Sequence, residues 1–246
     1  MMPRFSSHRS RLVVPVPSLV LFAVIALGSL VGRPTSAQET PATVTPGVQT
    51  TAPATVNCDA STTATAAAGT TTFTIDSAQS EARYKAEEEL AGKGANTAVG
   101  KTNAIIGQLR FGSGGLPLAC SRFDVDLRTL KSDETRRDNF LYNNTLETQQ
   151  FPLATFVLTS VEGLDKPLED GQETTFTLLG NLTIHGVTKL VAWEATATRD
   201  GETLKGNAAT TFDMPDFEIT PPKVGPVVSL DQKVALEIDL TAKQAA

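Results

Sequence analysis

The side chains that could carry out chemistry are few in this 246-residue chain. His185 is one of two histidines, and the other, His8, lies in the first ten residues. His185 could act as a catalytic base, bind a metal ion or lie in a turn. A zinc or iron site needs several histidine, cysteine or carboxylate ligands close together, and no such cluster or GxSxG motif is visible here. We therefore interpret His185 as a turn residue whose ring makes local hydrogen bonds.

Carboxylates are the second set of candidates. The acidic run 87–89 is continuous, and Asp124 and Asp126 share one face of a predicted strand. Glycoside hydrolysis would require one carboxyl group with a raised pKa inside a cleft, whereas acidic residues on the polar face of a strand are usually solvated. The stretch 136–138 (RRD) is likewise expected on the charged face of a short helix. With no phosphate-binding glycine loop or dinucleotide fingerprint present, we expect no catalytic residue, no metal site and no cofactor.

The two cysteines, Cys58 and Cys120, are expected to form a disulfide. An oxidising compartment would allow them to pair. The bridge would close a loop of about sixty residues, which in the chain-entropy model contributes roughly 4 kcal/mol to stability. Two unpaired thiols are the alternative.

The first 37 residues are predicted to be a signal peptide. Three arginines precede the apolar run 12–31, and the stretch 34–37 (PTSA) places small residues at a cleavage site before Gln38. An uncleaved transmembrane anchor is the alternative, because the run approaches the ~20 residues that span a bilayer. We expect an exported protein that is periplasmic, at the cell surface or secreted.

Removal of this leader makes the protein more acidic. The leader holds four of the 21 basic residues and none of the 27 acidic ones, so 17 basic and 27 acidic residues remain, a net charge of −10. An acidic chain without a basic stripe is a poor match to nucleic acid or to anionic lipid headgroups. We expect no nucleic-acid partner, and contact with a membrane only as a source of lipid or through an uncleaved leader.

Residues 38–69 differ in composition from the rest of the chain. They are dominated by Thr, Ala and Pro, with almost no charge and no aromatic residue. Such a segment cannot bury enough apolar surface to offset the entropy lost on ordering. We predict a disordered tether over 38–69 and a folded domain over 70–246.

Within that domain apolar and polar residues alternate with period two. Examples are 234–240 (VALEIDL) and 123–128 (FDVDLR). Strands of this kind have one buried and one solvated face, which is typical of antiparallel sheet. Further strands are predicted at 73–76, 80–88, 102–111, 154–162, 174–184, 187–199 and 203–212, with a hairpin turn at Asp200-Gly201. Many strands at short spacing predict an all-β barrel or sandwich.

The segment 132–152 breaks this alternation. Ser132 is a suitable helix N-cap, and Asp133 and Glu134 follow it in the first turn. Thr145 offers a second cap, and a proline ends the segment. One or two short helices should therefore interrupt the strands.

The alternation also selects the residues that should point inward. Phe140 would cap the interior from the helix, and glycines and alanines on the same faces would leave space. The inward set is Ile105, Leu109, Phe111, Phe123, Val125, Phe156, Leu158, Phe176, Leu178, Leu182, Val191, Trp193, Phe212, Leu236 and Ile238, with small residues at Gly107, Gly180, Gly206 and Ala208. From the residues alone, a ligand cavity and a filled, dry core are equally compatible with this set.

Several motifs, taken in order, resemble the YceI-like family of exported lipid-binding proteins. They are TFTIDSAQSEARYKAE (72–87), IGQLRFG (106–112), FDVDLRTLKSDETRRDNFL (123–141), FPLATFVLTSV (151–161) and NLTIHGVTKLV (181–191), within a similarity that runs from about 73 to 242. The resemblance implies a lipocalin-like antiparallel barrel of about eight strands. It also implies a long apolar ligand inside, in some members an isoprenoid chain with a polar head such as a quinone, and no enzymatic reaction.

The leading hypothesis is therefore an exported, non-catalytic protein that holds an isoprenoid-like or other long-chain apolar lipid, as a carrier or by sequestration. One alternative is a surface interaction module with a solid barrel core. A less favoured one is a hydrolase or isomerase that uses His185. The sequence leaves open the identity of the ligand and whether two chains form a homodimer.

Overall fold

The computed structural model describes residues 44–56, 58, 69–222 and 227–245. The predicted signal peptide and much of the predicted tether lie outside these residues. Within the described ranges, no helix is both long enough and apolar enough to cross a membrane.

In the described residues, the domain is an antiparallel barrel built from ten strands, to which a two-residue strand is added. The strands are β1 (Gly47–Val48), β2 (Thr71–Ile75), β3 (Glu81–Leu90), β4 (Gly94–Thr102), β5 (Ile105–Phe111), β6 (Arg122–Asp126), β7 (Leu153–Glu162), β8 (Thr174–Ile184), β9 (Val187–Asp200), β10 (Thr203–Asp213) and β11 (Val227–Gln244). Strands β5 to β9 pair in sequence order, β10 pairs with both β9 and β11, and β11 pairs with β2, which in turn pairs with β5. These pairings close the ring.

Two of the barrel strands are interrupted. Strands β2 and β3 pair with different stretches of β11, and on their other side they pair with β5 and β4, respectively. Strands β2 and β3 therefore form one interrupted strand of the barrel, as do β4 and β5, so the closed barrel has eight strands. The predicted antiparallel barrel of about eight strands is confirmed, as is the hairpin turn between Asp200 and Thr203.

A layer of buried aromatic rings crosses the middle of the barrel. Phe123 pairs with Phe156 across β6 and β7, and their rings stack with centroids 5.2 Å apart. Phe156 meets Trp193 edge to face at 5.9 Å. Alternation along β6, β7 and β9 directs all three side chains inward, as the sequence pattern predicts.

The helical segment lies between β6 and β7. Helix α1 (Thr135–Phe140) is followed by one wider turn, Leu141–Thr145. Glu134, not Ser132, caps α1, because its carboxylate accepts from the backbone N–H of Arg136 at 3.0 Å. Ser132 is instead bound through its backbone N–H and its hydroxyl by the carboxylate of Asp138. The prediction of a short helix is confirmed, and its predicted start was two residues early.

The strap, which we define as residues 44–56 with Cys58, lies on the barrel wall. The ladder between β9 and β10 ends at the pair Glu194–Ala209, and β1 pairs with the next stretch of the same β9 edge, Val191 and Ala192. Further along, the side-chain amide of Asn181 on β8 exchanges two hydrogen bonds with the backbone of Ala54, 2.7 and 3.0 Å long.

The strap corrects the prediction of disorder for residues 44–56. Its composition gives little apolar burial, but unpaired strand edges are costly, and backbone pairing satisfies them without regard to side chains. The end of the strap is joined covalently to the β5–β6 loop, since Cys58 and Cys120 form a disulfide with a Cα–Cα distance of 5.5 Å.

Candidate functional site

A cavity of about 720 Å³ occupies one end of the barrel. This is the helix end, where α1 and the β3–β4, β8–β9 and β10–β11 connections lie. Its wall is predominantly apolar and includes side chains of β3, β4, β6, β8 to β11 and the helical segment. Lys93, Asp133, Glu134 and Arg136 also line it and are exposed, so the cavity opens to the surface at this rim.

A second cavity of about 100 Å³ lies toward the opposite end. Phe123, Trp193 and Ile238 line both cavities. The interior is therefore divided by a layer of side chains that includes Phe123 and Trp193, two of the three rings of the aromatic layer.

The structure distributes the predicted inward residues over three environments. Those on the large cavity are Phe123, Val125, Phe140, Leu182, Trp193, Phe212, Leu236 and Ile238. Those on the small cavity alone are Leu109, Phe111, Phe156, Leu158, Phe176 and Leu178. Ile105 and Val191 line neither, and both are 0% exposed within the packed core.

The expected space beside glycines is only partly present. A Cβ atom at Gly180 would overlap the ring of Phe156, so that glycine is already covered by its neighbour. Gly206 and Ala208 do line the small cavity. Space in the large cavity comes instead from alanines of the first barrel strands, Ala82 and Ala86 on β3 and Ala98 on β4.

Sequence reasoning missed the whole contribution of β3 and β4 to the wall. The inner face of β3 consists of Ala82, Tyr84, Ala86 and Glu88. These residues keep the period of two, but they are small or polar, whereas the prediction selected large apolar residues. Met214 and Ile219 were missed for a different reason. Met214 begins the helical turn Met214–Phe217 and Ile219 follows it, in a segment where no strand alternation exists.

The carboxylate of Glu88 is buried on the cavity wall, with its side chain 4% exposed. It accepts from the guanidinium of Arg137 at 3.0 Å and from the side-chain amide of Asn96 at 2.7 Å. This corrects the prediction that the run 87–89 is entirely solvated. Glu87 and Glu89 are exposed, but period two turns Glu88 inward between them.

Arg137, the helix residue that binds Glu88, is likewise largely shielded from solvent. Its side chain is 18% exposed, and its guanidinium also binds Asp133 at 2.5 Å. Burial by itself would lower the pKa of Arg137, but the hydrogen bond to Asp133 and the charge of Glu88 hold that pKa above its usual value. The guanidinium is thus a permanent cation already held by two carboxylates.

Three other polar residues of the wall, Tyr84, Trp193 and Thr145, are uncharged. Burial raises the pKa of Tyr84 to about 12, so its phenol stays neutral at physiological pH. The indole Nε1 of Trp193 and the hydroxyl Oγ1 of Thr145 are both buried without a hydrogen-bond partner among the described residues. The large cavity therefore combines an apolar wall, a neutralised ion pair near the rim and two unsatisfied polar groups.

His185 lines neither cavity. It lies in the β8–β9 turn with φ 52°, which confirms its prediction as a turn residue. Its ring packs edge to face against Phe151 at 4.9 Å, and Nε2 lies 3.6 Å from a carboxylate oxygen of Glu147. Neither ring nitrogen makes a hydrogen bond to the described residues, so the expectation of local hydrogen bonds was wrong. In the same ranges no three His, Cys, Asp or Glu residues are grouped to hold a metal ion.

Comparison with known sequences identifies similar proteins. The family model described as the YceI-like domain matches residues 73–242. A UPF0312 protein of Pseudomonas putida strain W619 is 34% identical over 111 residues, covering 42% of this chain and 54% of the relative. A UPF0312 protein of Pseudomonas fluorescens strain SBW25 is 35% identical over 129 residues, covering 49% and 61%. The chain thus spans somewhat more than half the length of these curated relatives.

Two solved structures have a similar fold. Burkholderia cenocepacia BcnA superposes with a TM-score of 0.55 at 16% identity, covering 69% of this chain and 99% of BcnA. A polyisoprenoid binding domain from Saccharophagus degradans, implicated in plant cell wall breakdown, superposes with a TM-score of 0.56 at 13% identity, covering 70% and 98%. At these identities the similarity shows the shared barrel fold.

Proposed function

The chain belongs to the YceI-like domain family, and we propose that it is a non-catalytic protein that binds an isoprenoid-like or other long-chain apolar lipid inside its barrel. The observation that carries this proposal is the 720 Å³ cavity with its predominantly apolar wall. That volume lies within the roughly 300–1,000 Å³ of pockets that hold small ligands. Burial of each methylene group contributes ~0.8 kcal/mol, so a long chain binds with few polar contacts.

The comparison with solved structures supports the same ligand class. The Saccharophagus degradans domain is described as polyisoprenoid binding, and its barrel resembles this one. A solid-core interaction module fits less well, because such a core would not leave a cavity of this size. A His185-dependent hydrolase fits less well too, because His185 lies outside the lining of both cavities.

We further propose that the protein is exported and acts as a carrier or by sequestration in the periplasm, at the cell surface or after secretion. The leader sequence supports export, and so does the bridge between Cys58 and Cys120, since disulfides persist in oxidising compartments. The proposed partner is an apolar lipid drawn from a membrane, without nucleic acid. The proposal holds for a monomer and for a homodimer.

Mass spectrometry of residues 38–246, produced by export in a bacterial host, tests the proposal. Under native conditions we expect an added mass of several hundred daltons that organic solvent releases and that is identified as a prenyl or other long-chain lipid. A protein that is bare and whose Trp193 fluorescence does not change on titration with quinones and polyprenols would contradict lipid binding.

Two variants of strand β4 provide a matched control. Ala98 is buried on the cavity wall, whereas Ala95 is exposed on the same strand. Ala98→Phe should fill part of the cavity and reduce the bound lipid, and Ala95→Phe should retain as much lipid as the unmodified protein. Equal loss in both variants would place the lipid outside the cavity.

A further inference from the structure

The aromatic layer, which consists of Phe123, Phe156 and Trp193, lies between the two cavities. Phe123 and Trp193 line the large cavity on one side and the small cavity on the other, and Ile238 does the same. Phe156 stacks on Phe123 with ring centroids 5.2 Å apart and meets Trp193 edge to face at 5.9 Å. The layer therefore forms the floor of the large cavity, at the end away from its rim.

The rings of this layer are tightly packed. Phe123, Phe156 and Trp193 are 9%, 3% and 2% exposed. A Cβ atom at Gly180 would overlap the Phe156 ring, so that ring lies directly on the backbone of β8. Because side chains in a close-packed interior move only by displacing their neighbours, an apolar chain that enters from the rim meets the layer as a closed surface.

The space on the far side of the layer is too small to extend the site. An apolar cavity of ~150 Å³ accepts one benzene molecule, which has six carbon atoms. On that scale the small cavity of about 100 Å³ holds about four carbon atoms, fewer than one isoprene unit. The large cavity of about 720 Å³ holds about 30 carbon atoms, equivalent to about six isoprene units.

We propose that the aromatic layer limits the length of the bound chain, so that the barrel encloses apolar chains of up to about 30 carbon atoms and leaves the excess of longer chains outside the rim. Carbon atoms above the layer are removed from water and contribute to binding, whereas those beyond the rim contribute nothing. This inference rests on the proposed lipid-binding function and specifies which lipids of that class the site accepts.

A series of all-trans prenols that lengthens by one isoprene unit at a time, from farnesol to decaprenol, tests the inference. The delipidated protein, residues 38–246, is equilibrated with mixed micelles that contain the prenols in equal amounts, and native mass spectrometry measures which of them are bound. A micelle already removes the chain from water, so only the units that do not fit inside the barrel are returned to water. We expect similar occupancy up to about six units, and an occupancy at least tenfold lower for each further unit.

Variants of the layer should shift this limit. Trp193→Leu and Phe123→Leu each open the floor toward the small cavity, so the longest prenol that is fully bound should become about one isoprene unit longer. Phe73→Leu is the matched control, because Phe73 is a core ring with 2% exposure that lines neither cavity, and it should keep the limit. Undiminished binding of farnesol shows that a variant has kept its barrel.

A second change tests where the added length goes. Ala195 is 3% exposed and lines the small cavity alone. Ala195→Leu should leave the limit of the otherwise unmodified protein unchanged, because the chain does not reach that cavity. In combination with Trp193→Leu it should restore the original limit, because the newly opened space is filled.

The possible failures are distinguishable. If occupancy stays level up to decaprenol, or declines steadily from farnesol onward, the layer sets no limit and the inference is overturned while lipid binding stands. If both layer variants keep the original limit, or Phe73→Leu shifts it as far as they do, the layer is not its cause and the inference is likewise overturned. If no prenol of any length binds, the proposed function fails with it.

Discussion

At the scale of single residues, the ion pair between Glu88 and Arg137 is the feature least evident from the sequence. Each residue belongs to a charged run that would ordinarily be solvated, and each is turned toward the cavity. A buried pair of this kind is not in itself strong evidence of stability, because desolvation offsets much of the attraction. Removal of one partner, in contrast, is strongly destabilising, because the charge of the other partner stays buried without an opposite charge beside it.

We therefore predict that Arg137→Met lowers the free energy of unfolding by about 3 kcal/mol, because Glu88 would remain buried without its cation. The double variant Glu88→Gln/Arg137→Met should be less destabilised than the sum of its single changes. Urea unfolding of all three variants measures this coupling. Arg136→Gln, a change at the exposed neighbouring arginine, serves as the control and should have little effect. Additive single effects would show that the two side chains do not interact.

At the scale of secondary-structure elements, the sequence was most informative where strands have one apolar and one polar face. Strand β9 was predicted almost to its ends because Val191, Trp193 and Ala195 recur at every second position along its inner face. Strand β4 was not predicted over 94–101, since its inner positions are small or polar. One of them, Gly100, must lack a side chain because a Cβ there would overlap the ring of Tyr84. The alternation of apolar and polar residues cannot reveal the inner face of a strand when its residues are small because a neighbouring side chain fills the space.

The strap shows a second limit of composition. Its residues lack the apolar content that predicts order, yet they pair with an open strand edge and end in a disulfide. Neither interaction leaves a periodic pattern in the sequence. The cysteines were the available signal, because a disulfide from Cys58 to the folded domain holds the residues that precede Cys58 close to the barrel.

Removal of the bridge should destabilise the protein measurably. We predict that Cys58→Ser/Cys120→Ser lowers the free energy of unfolding by about 2–4 kcal/mol, because the closed loop spans a sequence separation of 62 residues. Limited proteolysis should then cut within 44–56 more rapidly. Urea unfolding with and without reductant measures the effect. The double variant should be insensitive to reductant, and an unmodified protein that is equally insensitive would contradict the prediction.

At the scale of the whole molecule, the fold could be predicted more completely than the site. Alternation separates inward from outward side chains, and this was enough for an antiparallel barrel. It does not determine where inward side chains fill the interior and where they leave space. Ile105 and Val191 point inward and are fully packed, while Ala86 and Ala98 leave room. That outcome depends on which residues face each other across the barrel.

Ligand removal should lower the stability of the whole barrel. A ligand that binds only the folded state stabilises it by about 2.7 kcal/mol at a concentration one hundred times its Kd. For a domain of this size that corresponds to a rise in Tm of roughly 5–10 °C. Calorimetry of the delipidated protein, before and after it is reloaded with lipid extracted from the purified protein, measures the rise. The Ala98→Phe variant should show a smaller rise, and an unchanged Tm on reloading would contradict specific binding.

The disulfide also determines how the barrel would bear a mechanical force. A pull on the chain before residue 44 first loads the β1–β9 pairing, and beyond it the tension passes through Cys58 to Cys120. Because that covalent path is shorter than the one through β2, the pairing of β2 with β5 and β11 is bypassed. Once the β1–β9 pairing has separated, the force enters the barrel at the β5–β6 loop, at the end opposite the cavity rim. A barrel held by its N-terminal segment would therefore keep its opening free of tension.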